Sequence, residues 1–570
     1  MAYIKSIGTV IIYVSFFLAV ITFLPGLPPD AEYSEYSMKP SSDLQTLKSV
    51  TKIRLKDPEI LFSGEIKGPE AFASFNGEIY TGIRGGYVVK IEENRIKPIV
   101  KFGQKCDGLW QEQKCGRPLN LKFNDKGELF VADSYYGIFK VNVNTRQYIN
   151  IINSSEPIDG KIPRVVNSLD IAKNGDIYWT DSSIDFPLHD STYTFLANPS
   201  GRLIRYNAAT KKNEVLVKNI GFANGVLLSD DESFLIVLST LNSYIIKYNI
   251  KGSKVGQKEI FAEGLPGLPD NVHSDGQGGF IVALIFTVDS EHPLLFQSLM
   301  PHPHIRKMLS RLLYLIEAPF KLLQDIYPNY YSERVLHTAG SFDLSKNTAL
   351  KSDSMILRID KTGKILNVLY SEDTDITAIS SAYIHNGYLW LGSPWNEYIM
   401  RVPLKQAFPD LALNTKPSVK KEQKQEEPLL TVSATPNIKV EAKSTKSTVK
   451  QEPTTKLPSK STVKAQTTQK PNSDATRSKE TIQKSTTSKP TTTSTTTTPK
   501  PTTSSPKAFE KDSKEIKKDK SNSQVKPESS QQSNEARIKT KSVDSVKKND
   551  HETQTAKSKP MKKNEDSTKK

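Results

Sequence analysis

The sequence predicts an all-β fold: a six-bladed β-propeller behind an apolar N-terminal helix, followed by a disordered, mucin-like C-terminal tail. Three observations predict it. A short phrase recurs six times, each copy a turn followed by an apolar or aromatic run. The copies begin at Asn76-Gly77-Glu78-Ile79-Tyr80, Lys126-Gly127-Glu128-Leu129-Phe130, Asn174-Gly175-Asp176-Ile177-Tyr178, Glu232-Ser233-Phe234-Leu235-Ile236, Gly278-Gly279-Phe280-Ile281-Val282 and Asn386-Gly387-Tyr388-Leu389-Trp390. A turn leading into such a run reads as a buried strand. The copies are spaced by about 50 residues, the period of propeller blades, and only the last interval is much longer. An oxygen-bearing residue stands about seven or eight positions ahead of each turn, where the innermost strand of a blade should open.

The N-terminal element is the apolar run Ile7–Leu24, preceded by Lys5 and followed by Asp30, Glu32 and Glu35. Its length suits a membrane-spanning helix. A cleaved signal peptide is the alternative, but it would have a shorter core and an A-x-A-like site. Pro25, Pro28 and Pro29 crowd the zone where cleavage would occur. The expectation is an uncleaved signal anchor over 7–24, with residues 1–6 cytosolic, a juxtamembrane linker over 25–50, and the rest outside or lumenal. That makes a single-pass type II protein of the plasma membrane, with the endoplasmic reticulum lumen as alternative.

The propeller is expected over 51–410. The residues ahead of its six turns are Glu70, Asn120, Asn167, Asn224, Asn271 (with Asp270 beside it) and Ser380. Equivalent positions of a closed propeller converge on its axis, so these oxygens would meet. One or two carboxylates plus amide carbonyls suit calcium. The absence of thiolate and imidazole argues against zinc or copper. The bland alternative is that each Asn makes an Asx turn. Glu70, Asn167, Asn224, Asp270 and Asn271 are the candidate metal ligands, with Asn120 the weaker member. His273, two positions after Asn271 on the same strand face, is expected to be structural rather than catalytic.

The two cysteines, Cys106 and Cys115, are close enough to bridge one loop and should pair in an oxidising compartment. Asn153-Ser154-Ser155 is an N-glycosylation acceptor. An insertion over about 286–345 interrupts the repeat. Ile305, Met308, Leu309, Leu312, Leu313 and Ile316 follow a helical period, and Phe320, Leu322, Leu323 and Ile326 continue the apolar run after Pro319. Arg306, Lys307, Arg311 and Lys321 flank them. The insertion is expected to be a lid on the channel mouth; lying on a membrane surface is the alternative.

From Leu411 to Lys570 the chain carries 35 Lys+Arg against 18 Asp+Glu, a net of about +17, so the whole-chain +16 describes this stretch. Nearly devoid of aromatic residues, it cannot bury enough apolar surface to offset chain entropy, and disorder is expected over 411–570. Its centre, Thr486–Pro506, is almost all Thr, Ser, Pro and Lys, the composition of an O-glycosylated stalk. A basic arm for nucleic acid would interleave aromatic residues, and that interleaving is absent, so no nucleic-acid partner is expected.

Enzyme motifs are scarce. There is no G-x-S-x-G elbow and no H-E-x-x-H. Four segments carry a resemblance: Cys115-Gly116-Arg117-Pro118-Leu119, Val131-Ala132-Asp133-Ser134-Tyr135-Tyr136-Gly137, Gly221-Phe222-Ala223-Asn224-Gly225-Val226 and Leu265-Pro266-Gly267-Leu268-Pro269-Asp270-Asn271. In this order they resemble the strictosidine synthase-like family, in particular its adipocyte plasma membrane-associated protein and insect hemomucin types. The resemblance covers roughly Thr51 to Leu404, and the threonine-rich tail is similar to the hemomucin type.

The resemblance implies a surface mucin with an N-terminal anchor, bound by lectins or other carbohydrate-binding proteins through its O-glycans, acting in recognition or adhesion. It also implies arylesterase activity on small esters or lactones, and relates the chain to paraoxonase-like calcium-dependent hydrolases. Their calcium ligands map onto Glu70, Asn167, Asn224, Asp270 and Asn271. Their catalytic histidine pair does not map, since Pro118-Leu119 and Asp133-Ser134 stand near those positions. Asn120 also departs from the glycine usual in the strictosidine synthase-like pattern. No Glu lies between Glu263 and Glu291, so the catalytic glutamate of strictosidine synthase has no counterpart. Two function classes result: a recognition glycoprotein with a propeller that is scaffold or ligand-binding module, and a membrane-anchored calcium-dependent hydrolase of aryl esters or lactones. Catalytic residues are not assigned.

Overall fold

Tight turns set the sheets. Asn76 and Gly77 both have positive φ, 51° and 79°, the two-residue turn whose twist matches the strands it joins. Asn386 and Gly387 repeat it, at 47° and 76°. In the computed structural model, which describes residues 2–42, 50–291, 293–343, 354–371 and 376–414, such hairpins build six sheets. They span 72–101, 118–153, 166–220, 223–263, 267–370 and 381–403, and within each the consecutive strands pair antiparallel. The innermost strands neighbour one another in cyclic order, and the sixth meets the first. The resulting ring is a β-propeller. Its described residues fall in one unit, Met1–Ser433. The O-glycosylated tail expected from the sequence lies outside the described residues.

Strands from the beginning of the chain complete the last two sheets. Glu59–Leu61 pairs antiparallel with Ile399–Pro403. Thr51–Arg54 adds to Ile365–Tyr370 in parallel. These clasps tie the two ends of the ring together and cover strand edges that would otherwise stay open.

The core lies between neighbouring sheets, where the apolar runs of the repeat face each other. Ile236 and Leu238 of the fourth sheet pack with Val282, Leu284 and Leu357 of the fifth. Val88 and Phe102 of the first pack with Leu121 and Val131 of the second. The cluster between the fifth and sixth sheets takes in Leu404, Phe408 and Leu411. Leu411, expected to begin the polar tail, is instead 4% exposed and sits in the helix Pro409–Asn414. The composition of a tail does not mark where its last apolar anchor lies.

The N-terminal helix runs from Ala2 to Phe23. It starts ahead of the apolar run because no helix breaker precedes Pro25. It is long and apolar enough to cross a membrane and is mostly exposed. Residues after it are docked on the propeller: Tyr33 donates to Ser310 at 2.7 Å, Lys39 pairs with Glu263 at 2.9 Å, and the Ser42 amide donates to Gly264 at 2.9 Å.

The insertion forms the helices Leu295–Leu299, Pro303–Ile326 and Tyr330–Gly340. Asn329 caps the last of these, accepting from the Ser332 amide at 2.9 Å. The end of the insertion, Ser341 to Asp343, lies over the channel, whereas the long helix contacts the N-terminal helix. Cys106 and Cys115 form a disulfide across Cα atoms 5.4 Å apart. Asn153 closes the strand Tyr148–Asn153 and is exposed, its Oδ1 accepting from the Ser155 amide at 3.0 Å.

Candidate functional site

The ring brings most of the oxygen-bearing residues together, and local irregularity aims them. Asn120, Asn167, Asn224 and the pair Asp270–Asn271 each lie on the innermost strand of their sheet. In every one of these strands the pairing register shifts close to the site residue: between Pro118 and Asn120, Val166 and Leu169, Ala223 and Val226, and Pro269 and Val272. A bulge turns a side chain out of the alternating pattern, here toward the axis. Glu70 and Ser380 stand just ahead of the innermost strands of the first and sixth sheets.

Two glycines let the strands approach. A Cβ on Gly225 would come within 2.8 Å of the Asp270 carbonyl oxygen, and one on Gly392 within 2.4 Å of the Glu70 carbonyl oxygen. Each site carboxylate is thus held against a backbone that only glycine can bring so near.

Hydrogen bonds fix the cluster. Arg117 Nη2 donates to Glu70 Oε2 at 3.0 Å and to the Pro394 carbonyl at 3.2 Å. Asn120 Nδ2 donates to Asn271 Oδ1 at 3.2 Å, and Asn271 Nδ2 to Asp270 Oδ1 at 3.3 Å. Asn224 Nδ2 donates to Thr240 Oγ1 at 3.3 Å. Ser380 Oγ donates to the Glu70 carbonyl at 3.1 Å, which commits that hydroxyl to the backbone. All six ring positions and Asp270 are buried.

Burial pushes the Asp270 carboxyl well above its ordinary range, and the charge of Glu70 pushes it further. Burial raises Glu70 as well, with Arg117 as the main counterweight. Arg117 and, more weakly, Arg84 offset the burial of Glu70, whereas the Asp270 carboxyl is raised by burial and by Glu70. Asn224 Oδ1 is buried without a hydrogen-bond partner. Two carboxylates and a free amide oxygen form a donor set that fits a hard cation such as calcium. No group of three or more His, Cys, Asp or Glu placed to hold a metal ion occurs among the described residues, so amide oxygens would have to complete the coordination.

Above Glu70, Asn167, Asn224 and Asp270 is a chamber of about 80 Å³ walled by Phe195, Phe222, Phe286, Phe342 and Trp395. Phe342 lines it, with its ring 4.9 Å from that of Phe195 and 5.3 Å from that of Phe222. The next residue, Asp343, is latched by Arg84 at 3.1 Å and by His337 at 3.2 Å. These charges hold the Asp343 carboxyl below the usual carboxylate range despite its burial.

His273 and Asn120 lie elsewhere. Both line a second cavity of about 370 Å³, away from the Glu70–Asp270 chamber, with Lys122 and Tyr383. His273 Nε2 is 2.8 Å from Ser381 Oγ, and burial together with the nearby Lys122 charge pushes the imidazole down to about 3. So weak a base stays neutral and does not activate Ser381 near neutral pH.

Arg117, Arg84, Asp343 and Phe342 were not singled out by sequence reasoning. Arg117 carried the one available signal, lying three positions ahead of Asn120 in the segment Cys115-Gly116-Arg117-Pro118. The other three reach the site across the ring or from the insertion, and no local pattern marks them.

The strictosidine synthase family model matches residues 167–253, which hold Asn167 and Asn224. The chain is 38% identical over 403 residues to the adipocyte plasma membrane-associated protein Hemomucin of Drosophila melanogaster, covering 69% of each. It is 32% identical over 356 residues to the adipocyte plasma membrane-associated protein of Rattus norvegicus, covering 62% of this chain and 87% of the relative. Among solved structures, a gluconolactonase from Xanthomonas campestris is similar at a TM-score of 0.39 and 13% identity, covering 67% of this chain and 99% of that one. The chain belongs to the adipocyte plasma membrane-associated protein family of strictosidine synthase-like proteins.

Proposed function

We propose that this chain is a membrane-anchored surface glycoprotein of the hemomucin type, whose six sheets are the blades of a propeller that holds calcium and binds a small apolar ligand. The observation that carries the reading is the aromatic chamber closed over Glu70 and Asp270. Its floor suits a cation and its walls suit an apolar group. Glu70, Asn167, Asn224, Asp270 and Asn271 are the residues that would hold the ion. The helix Ala2–Phe23 is the anchor, in a type II arrangement with the C-terminus outside the cell. The relatives' names, which place them at a plasma membrane, support that location. The Cys106–Cys115 disulfide supports an oxidising compartment. Asn153 is exposed as an N-glycan acceptor must be, and the Thr-rich tail would carry O-glycans read by lectins in recognition or adhesion.

The second reading is a calcium-dependent hydrolase of aryl esters or lactones, favoured by a carboxylate floor beneath aromatic walls. Calcium, when bound, supplies a Lewis acid for a carbonyl oxygen. Phe195, Phe222 and Trp395 would seat the acyl or aryl group, and Phe342 would exclude water.

Two assays test these readings. A C-terminal tag on intact cells should be open to external protease, and O-deglycosylation should lower the apparent mass; a protected tag or an unchanged mass overturns the surface-mucin reading. Hydrolysis of phenyl acetate by the full chain, with and without EDTA, separates hydrolase from binding module. EDTA-sensitive turnover supports the hydrolase, and no turnover at all leaves the binding module.

A further inference from the structure

The helix Pro303–Ile326 is inside out. Its buried side chains are Arg306, Ser310, Arg311 and Glu317. Each is bound into the fold. Arg306 donates to the Leu196 carbonyl at 2.9 Å, and Ser310 accepts from Tyr33 at 2.7 Å. Glu317 accepts from Tyr193 at 2.5 Å and pairs with Lys321 at 2.8 Å. Apolar residues of its C-terminal half face outward instead: Ile316 is 61% exposed, Leu322 60%, Leu323 46% and Ile326 74%. At 100° per residue, Ile305, Leu312, Ile316, Leu323 and Ile326 share one flank, opposite Arg306, Ser310 and Glu317, and that flank carries no charge. Tyr327 and Tyr331, 70% and 78% exposed, continue the surface with side chains suited to a water–lipid boundary. A helix that buries Arg306, Arg311 and Glu317 and presents an uncharged apolar flank is built for an apolar surrounding.

The N-terminal helix says which surrounding. Arg311 Nη1 donates to the carbonyls of Ile21, Thr22 and Leu24, at 2.7, 3.0 and 2.9 Å. One guanidinium thus takes the orphan carbonyls at the end of that helix, where a positive charge also meets the negative end of the dipole. Phe23 packs on His304 with ring centroids 5.2 Å apart. The long helix is therefore fixed where the N-terminal helix ends, the level at which an anchor leaves the bilayer.

We infer that the helix Pro303–Ile326 is a second membrane contact, its flank of Ile305, Ile316, Leu323 and Ile326 sunk into the acyl region of the non-cytosolic leaflet that the anchor crosses. This rests on the reading of Ala2–Phe23 as the anchor. An interfacial helix of this kind sinks about 5–10 Å. The driving force is apolar, so anionic lipid is not required. The contact also orients the site. Glu317 holds Tyr193 of the helix Ser191–Leu196, and Phe195 of that helix walls the chamber over Glu70 and Asp270. The membrane contact and the chamber are thus joined through one short helix.

The test uses the full chain in vesicles of pure phosphatidylcholine containing spin-labelled lipid. Both native cysteines are in the disulfide, so single cysteines at Ile12→Cys, Ile316→Cys, Leu323→Cys and Val255→Cys can each carry an environment-sensitive fluorophore. Val255, 60% exposed on the hairpin between Tyr244–Asn249 and Lys258–Glu263, is the aqueous control. Lipid quenching at 316 and 323 several-fold above that at 255 is expected. Quenching at 12 without quenching at 316 and 323 overturns the inference and leaves the anchor standing. Absence of quenching at 12 overturns the anchor reading itself. A disulfide-linked dimer through unlabelled Leu323→Cys in place of lipid quenching means that a second copy covers the flank, and also overturns the inference.

Discussion

Arg117→Met removes the one guanidinium on the ring carboxylates. Arg117 is 4% exposed and lies 3.0 Å from Glu70, itself 7% exposed. Removing one partner of a buried ion pair costs roughly 3–5 kcal/mol, because the other charge stays behind unpaired. Glu70 can limit that loss by taking up a proton, since burial already raises its carboxyl and Arg117 is the chief counterweight. Calcium reverses part of the loss by another route. At an effective dielectric constant of 20 a unit charge about 5 Å from a divalent ion contributes about 7 kcal/mol, so calcium on Glu70 gains when the arginine leaves, a gain that solvent screening and protonation of Glu70 cut to a few kcal/mol. Denaturant unfolding of the full chain in detergent, in millimolar calcium and in EDTA, reads both terms. The variant should lose several kcal/mol in EDTA. Its stabilisation by calcium should exceed that of the wild type by about 1–3 kcal/mol, within the range of ligand linkage at moderate excess over Kd. Equal calcium stabilisation of the two proteins would refute the placement of a cation on Glu70.

Phe342→Ala should cost about 2 kcal/mol, below the usual range for a fully buried ring because Phe342 is only half-buried. It should also open the chamber beyond its present 80 Å³, toward the roughly 150 Å³ at which a dry cavity holds benzene. Equilibrium binding of a phenyl ester checks it, and unchanged affinity would mean that Phe342 is no lid. Asp133 gives a pH dependence of unusual sign. Its carboxyl is pushed up by burial to about 6 from an ordinary 3.8, and its Oδ2 has no partner. The folded state therefore holds a proton that the unfolded chain releases. This contribution is fully present below about pH 4 and is lost as pH rises through 6, amounting to about 3 kcal/mol for a shift of two units. Asp133→Asn should flatten that segment of the stability–pH curve, measured between pH 4 and 7.5; an unaltered curve would count against it.

The repeat was legible because each blade must bury one apolar strand behind one turn, and both leave local marks, as in Asn386-Gly387-Tyr388-Leu389-Trp390. The axial register was legible for the same reason, and it places Glu70, Asn167, Asn224 and Asp270 at one chamber. The bulges that aim these residues were not, since a register shift depends on the partner strand rather than on the strand that carries it. Nor was the clasp of Glu59–Leu61 on Ile399–Pro403, a pairing of residues 342 positions apart at Glu59 and Arg401. The long helix was visible by its period, but period does not say which face points inward. Only the partners of Arg306, Arg311 and Glu317 reveal that the charged side is the buried one.

The proposed calcium would sit in the ring on Glu70, Asn167, Asn224, Asp270 and Asn271. Elemental analysis of the full chain, purified in millimolar calcium and desalted, tests it directly alongside Asp270→Ala, which removes a charge and a ligand together. One calcium per wild-type chain and none in the variant is the expected result. A wild-type chain without calcium, or a variant that retains it, would contradict the account and leave these five residues as lining of the channel.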